Sequence, residues 1–336
     1  MPAMPDGLAR FIPQIESALR DSLADGPSDL IHCARYVMGW EAADGSPAEN
    51  ASGKRIRPAL VLFGASLFTD DPTVALPGAV AVELVHNFSL VHDEIQDRDA
   101  SRHGRPTIYA LYGDAQAINA GDFIYARAIG ALLDADVPAE RRVAALRLLQ
   151  DAIERMIDGQ WHDLTFESRS DVSTDDYVAM IAGKTGAMLA VPLAIGAVLA
   201  GAPMDAAIAL RAWGERVGLA FQVWDDYLGI WGEPNLTGKS NTNDIARKKK
   251  TLPIIHGLRT TAGEAIQRAY QRDALGDSDI ATVISSLNEA GSDAFVRATA
   301  DHYVQQANAL LEDLNLPAKA RDELRDVGEY LVNRDV

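Results

Sequence analysis

A single cysteine, Cys33, stands in the 336 residues, so neither an intrachain disulfide framework nor a multi-cysteine zinc site can form. Aromatic side chains make up only 7% of the chain, yet hydrophobic ones reach 48%, ample to bury a large core. Cations are in short supply: 31 Lys and Arg against 48 Asp and Glu give a formal charge of −17. So acidic a chain is a poor nucleic-acid binder and is repelled by anionic membrane surfaces. No apolar run approaches the ~18–20 residues of a membrane span, the longest being Ala187–Ala200. The stretch Met1-Pro-Ala-Met-Pro-Asp6 has no basic flank and no apolar sequel, so no signal peptide is visible. These absences describe a soluble cytoplasmic protein with no integral membrane segment and no nucleic-acid partner.

Lysine is the rarest cation: Lys54, Lys184, Lys239, Lys248, Lys249, Lys250 and Lys319 are its seven occurrences, beside 24 arginines. A chain that draws its positive charge mainly from Arg and keeps a few Lys has use for compact, mobile ammonium groups, which suit phosphate oxygens. Helical periodicity dominates the rest. Apolar-striped helices are expected over Ala79–Ile95, Ala115–Leu133, Ala139–Phe166, Tyr177–Leu199 and Asp205–Ile230, and again over Leu252–Tyr270, Ile280–Glu289, Asp293–Leu314 and Ala318–Val332. Gly/Pro/Asp breakers separate them. Glu41–Gly53 and Gly232–Ile245 read as loops. With no fixed-period repeat and no linker of shifted composition, residues 1–336 read as one large all-α domain.

Two acidic clusters close apolar helices. In the first, Asp93 and Asp97 are four residues apart and share a helix face, where bare carboxylates repel unless a cation lies between them. The second is Phe221-Gln222-Val-Trp-Asp225-Asp226. Carboxylate oxygens without a Cys or His set suit Mg²⁺, which keeps waters and shares itself with substrate phosphates. A solvated helix end in an acidic chain would show one such cluster; two, each followed by a basic segment, point to a site. The basic segments are Gly53-Lys54-Arg55-Ile56-Arg57-Pro58, Ser101-Arg102-His103-Gly104-Arg105, Gly183-Lys184-Thr185-Gly186, Thr237-Gly238-Lys239 and Arg247-Lys248-Lys249-Lys250. Acids for metal and cations for phosphate together make a diphosphate site.

In their order these motifs resemble the trans-prenyl diphosphate synthases, the all-α isoprenyl synthases. The resemblance runs from about Gly53 to Pro253 through GKRIRP, DEIQD, RHGRPT, Gly121-Asp122, GQWHD (Gly159–Asp163), GKTG, FQVWDD, TGK and DIARKKKTLP. It implies a single large helical bundle of the isoprenoid synthase type around a central apolar pocket. It implies Mg²⁺ bound by Asp93, Asp97 and Asp225, with Asp226 beside them. Arg102, Lys184, Gln222, Lys239 and Lys249 match positions that contact the allylic diphosphate or its metal shell. Thr185 matches the helix-kink residue facing the reacting carbons. Lys54, Arg57 and His86 match the pocket for isopentenyl diphosphate.

The chain departs from the family pattern at Glu94, Gly229 and His103, where the pattern has Asp, Asp and Arg; Arg105 is the candidate to compensate for His103. The implied reaction is Mg²⁺-dependent head-to-tail condensation of isopentenyl diphosphate with an allylic diphosphate, by a homodimer. Phe88 and Ser89, five and four residues before Asp93, resemble the chain-length positions of enzymes that stop at twenty carbons. Synthases stopping at farnesyl diphosphate or making longer chains stand beside that reading. A terpene cyclase on the same scaffold needs only one diphosphate site, and a non-catalytic partner subunit would have lost its aspartates.

Overall fold

The computed structural model describes residues 3–48, 53–102, 104–232 and 243–332. Helices account for nearly all of it: α1 Asp6–Ala9, α2 Ile12–Ser22, α3 Ser28–Val37, α4 Ile56–Ser66, α5 Leu76–Asp97, α6 Ile108–Tyr112, α7 Asp114–Leu133, α8 Ala139–Ser168, α9 Thr174–Ile181, α10 Ala187–Ala200, α11 Met204–Trp231, α12 Asn243–Ala246, α13 Leu252–Leu258, α14 Gly263–Tyr270, α15 Asp277–Glu289, α16 Ser292–Asp313 and α17 Ala318–Val332. The one sheet among the described residues is the hairpin of β1 Ser101–Arg102 and β2 Arg105–Pro106, turned by Gly104 at φ 74°. His103 and Lys239 lie outside the described residues, as does most of the Gly232–Ile245 loop.

The chain gathers into two compact units, each assembled from separate stretches. That is why no linker is visible in the sequence: the boundaries fall inside α8, α10 and α11 rather than between elements. One unit holds Asp6–Asp151 and Val191–Leu210. Its centre is α4 and the end of α10, both apolar all round, as a fully buried helix must be. They meet backbone to backbone: a Cβ on Gly64 would stand 2.4 Å from the Leu193 carbonyl, and one on Gly196 would stand 1.8 Å from that of Val61. Helix α5 packs beside them and ends where Arg98 turns left-handed at φ 56°.

The other unit holds Ala152–Ala190 and Arg211–Val336, with Met1–Pro5. Its core joins Tyr177, Ile181, Leu219, Val223, Leu252, Ile255 and Val296. The expected helix Tyr177–Leu199 is present with a change of pitch: residues Ala182–Gly186 form a π-helical turn between α9 and α10. Helical runs over Pro72–Asp97 and Thr174–Ala200 are therefore long and apolar enough to cross a membrane, which corrects the shorter limit drawn from Ala187–Ala200 alone. Most of each run is buried within the protein, as in the core helices of a folded domain. Leu252–Tyr270, expected as one helix, divides into α13 and α14, with the carbonyls of His256 and Gly257 capped by Arg259 and Thr260.

Candidate active site

In the first unit, the acidic cluster occupies the last two turns of α5. Carboxylates there face the negative end of the helix dipole, a placement that calls for a nearby cation. Asp93 and Asp97 are half-buried. Glu94, between them, points inward and is buried, and burial pushes its carboxyl up although Arg102 opposes the shift. Arg102 Nε donates to Glu94 Oε1 at 2.7 Å. Glu94, a departure from the family pattern, is therefore the anchor of Arg102.

Arg57, at the start of α4, brings Nη1 within 3.3 Å of His86 Nε2 on α5. Burial first, then the charges of Arg57, Arg102 and Arg55, hold His86 well below the usual imidazole range, so the ring is neutral and Nε2 accepts from Arg57. Arg55 orders this corner. It takes a left-handed backbone at φ 53°, and its buried guanidinium reaches Glu16 at 2.6 Å, Glu83 at 2.8 Å and the Met38 carbonyl at 3.0 Å. Lys54, one residue earlier, is exposed.

Arg105 takes a different place from the one expected. Its guanidinium donates to the carbonyls of Tyr36 and Glu41 and lies 4.1 Å from the Tyr36 ring centroid. It is a strut between β2 and the end of α3, because a five-donor fork is best satisfied by paired carbonyls. Phe88 packs edge-on against His92 and beside Tyr125, with centroids 5.5 and 5.2 Å away. Ser89 donates its hydroxyl back to the His86 carbonyl. Gly121 is a close-approach position, where a Cβ would stand 2.3 Å from His92 Nε2.

In the second unit, the π-helical turn presents Lys184 and Thr185, and glycines clasp it on both sides. A Cβ on Gly159 of α8 would lie 2.2 Å from the Lys184 nitrogen, and one on Gly218 of α11 would lie 2.8 Å from the Gly186 Cα. The close approach lets Asp163 of α8 receive the Lys184 ammonium in a short ion pair, with Lys249 Nζ 4.0 Å from the same oxygen. Burial raises the Asp163 carboxyl, but Lys184, Lys249 and Arg247 outweigh it and hold it below its ordinary value. Of the three consecutive lysines, Lys249 turns to Asp163. Lys248 donates to the carbonyls of Arg272 and Asp273, and Lys250 lies over the Tyr270 ring.

Beside the turn runs a hydrogen-bond chain. Thr185 Oγ1 donates to Gln222 Oε1 at 2.7 Å, and Gln222 Nε2 donates to Asp226 Oδ1 at 3.0 Å. Asp226 Oδ2 accepts from the Tyr177 hydroxyl at 2.7 Å and the Leu252 amide at 3.0 Å. Asp226 is buried, and burial, against these three donors, pushes its carboxyl up to about 7. Asp226 thus acts by positioning Gln222 and the start of α13; its neighbour Asp225 is half-buried. A side chain at Gly229 would start 3.2 Å from Asp244 Oδ2, so a neighbouring carboxylate already lies where the absent aspartate would begin.

The donor set fits Mg²⁺. Asp93 and Asp97 in one unit, and Asp225 in the other, offer oxygen alone. Carboxylates in ones and twos leave positions for water and phosphate oxygens, as Mg²⁺ requires.

Known proteins resemble the chain in sequence and in fold. The sequence profile of the polyprenyl synthetase family matches residues 47–287. A (2E,6E)-farnesyl diphosphate synthase of Mycobacterium tuberculosis is 43% identical over 308 residues, 89% of this chain and 84% of that protein. A geranylgeranyl diphosphate synthase of the same organism is 40% identical, with coverages of 84% and 82%. The crystal structure of a polyprenyl synthetase from Streptomyces coelicolor superposes with a TM-score of 0.91 at 36% identity, covering 97% of this chain and 98% of that one. A match of this extent, on a helical fold with two carboxylate-and-cation sets, makes the chain a member of the polyprenyl synthetase family.

Proposed function

We propose that the protein is a prenyltransferase that condenses isopentenyl diphosphate with an allylic diphosphate, head to tail, into a short-chain all-trans prenyl diphosphate. The observation that carries this reading is the presence of two separate cation sets, one in each unit. Arg57 lies against neutral His86 in one, and Lys184 and Lys249 gather around Asp163 in the other. Condensation needs two diphosphate sites; cyclisation needs one.

Lys184 and Lys249 bind the allylic diphosphate and take up charge as its C–O bond breaks and the diphosphate leaves with the electron pair. Arg57, with neutral His86 beside it, orients isopentenyl diphosphate, whose double bond attacks the allylic carbon; the released diphosphate accepts the proton then lost. The Thr185 proton is committed to Gln222, so the hydroxyl offers lone pairs, the polarity that suits a carbocation. Asp93 and Asp97 in one unit, and Asp225 in the other, would each offer oxygens to Mg²⁺, which when bound supplies Lewis-acid neutralisation of the leaving group. Phe88, resting on Tyr125 and His92, supports a stop at twenty carbons; relatives named for farnesyl and geranylgeranyl products stand at similar identity. A homodimer in the cytoplasm belongs to this reading, supported by exposed Tyr112, Ile118 and Leu133 and by the chain's net acidity.

The test supplies purified protein with Mg²⁺ and each allylic diphosphate from five to fifteen carbons, with and without isopentenyl diphosphate. A linear, longer diphosphate formed only when both are present is the expected result. A hydrocarbon or alcohol from the allylic substrate alone would assign the protein to the cyclases.

A further inference from the structure

Two ammonium groups drawn to one carboxylate exceed what a structural ion pair needs. Asp163, Lys184 and Lys249 are 18%, 25% and 19% exposed at their side chains, and Arg247 adds its field. Asp163 therefore faces more positive charge than one ion pair supplies, in a partly desolvated setting where charges act strongly on one another. The lysines come from different elements, Lys184 from the clasped π-helical turn and Lys249 from the turn after α12. What brings their ammonium groups to one point is the Asp163 carboxylate.

We propose that Asp163 is a positioning residue that serves as the counter-ion of Lys184 and Lys249 before substrate binds and sets how tightly they hold a diphosphate. The proposal rests on the reading that these two lysines bind the allylic diphosphate. An ammonium on a flexible four-carbon stem can exchange one anionic oxygen for another without backbone movement. Once a diphosphate has taken both lysines, Asp163 remains beside it as a like charge. That repulsion weakens the hold on substrate and on released diphosphate alike, and so favours turnover over retention.

The test is calorimetric titration of inorganic diphosphate into the full-length protein without added metal. Asp163→Asn and Asp163→Ser remove the charge with different side chains, so that if one fails to fold the other decides; circular dichroism checks both. Each is expected to bind diphosphate about tenfold more tightly than the parent. In turnover, KM for the allylic substrate and kcat should fall together while KM for isopentenyl diphosphate stays put. Equal or weaker binding in a folded variant overturns the proposal, because loss of a merely structural contact loosens a site and does not tighten it. If the parent protein binds no diphosphate, or if Lys184→Ala and Lys249→Ala bind it as well as the parent, the underlying reading of the lysines fails instead.

Discussion

Asp226 shows how far a residue's place can depart from what its motif suggests. Beside Asp225 it reads as part of an acidic site cluster, yet it is buried and accepts from Tyr177, Gln222 and Leu252. Its carboxyl, pushed up to about 7 from 3.8, stays protonated in the folded protein over a range where the unfolded chain has released the proton. Stability from this group is thus fully present below about pH 4 and declines as pH rises toward 7. Measured by urea unfolding without metal, the parent should lose up to about 4 kcal/mol relative to Asp226→Asn across that window; a constant difference would contradict the assignment. Phe88→Ala should lengthen the product by removing the ring packed against Tyr125 and His92, read by mass spectrometry of the prenyl alcohols, and an unchanged distribution would remove Phe88 from that role. Asp93, Asp97, Lys184 and Arg57 were legible from sequence because buried or clustered charge demands a partner. The roles of Glu94 and Asp163 were not, since their partners, Arg102 and Lys184, are neighbours only in space.

Among elements, the π-helical turn is the one whose form matters most. The sequence marks it by a lysine among alanines and leucines, but not by its pitch, which depends on the helices α8 and α11 pressing against it. Gly159→Ala would drive a methyl into the Lys184 backbone. Such overpacking should cost about 1–3 kcal/mol in urea unfolding and, by moving Lys184 and Thr185, reduce kcat by a hundredfold or so. Gly130, inside α7, has nothing within 4 Å of its Cβ position. Gly130→Ala should therefore stabilise by about 0.5–1 kcal/mol with unchanged activity. Equal effects from the two substitutions would contradict the clasp. Apart from the divided Leu252–Tyr270 segment, the other expected helices follow their apolar stripes to within a few residues, since each buries one face and breakers end it.

For the molecule as a whole, the all-helical class is legible because no stretch alternates with period two, and the two-unit arrangement is not, because each unit closes on segments distant in sequence. Each unit brings together its own cations, and the account stands or falls on giving each set one diphosphate. Steady-state kinetics of Lys184→Ala and Arg57→Ala, with each substrate varied in turn, tests that most directly. The account predicts that Lys184→Ala raises KM for the allylic diphosphate about tenfold or more and leaves KM for isopentenyl diphosphate near the parent value, with the reverse for Arg57→Ala. Both variants raising the same KM would contradict it.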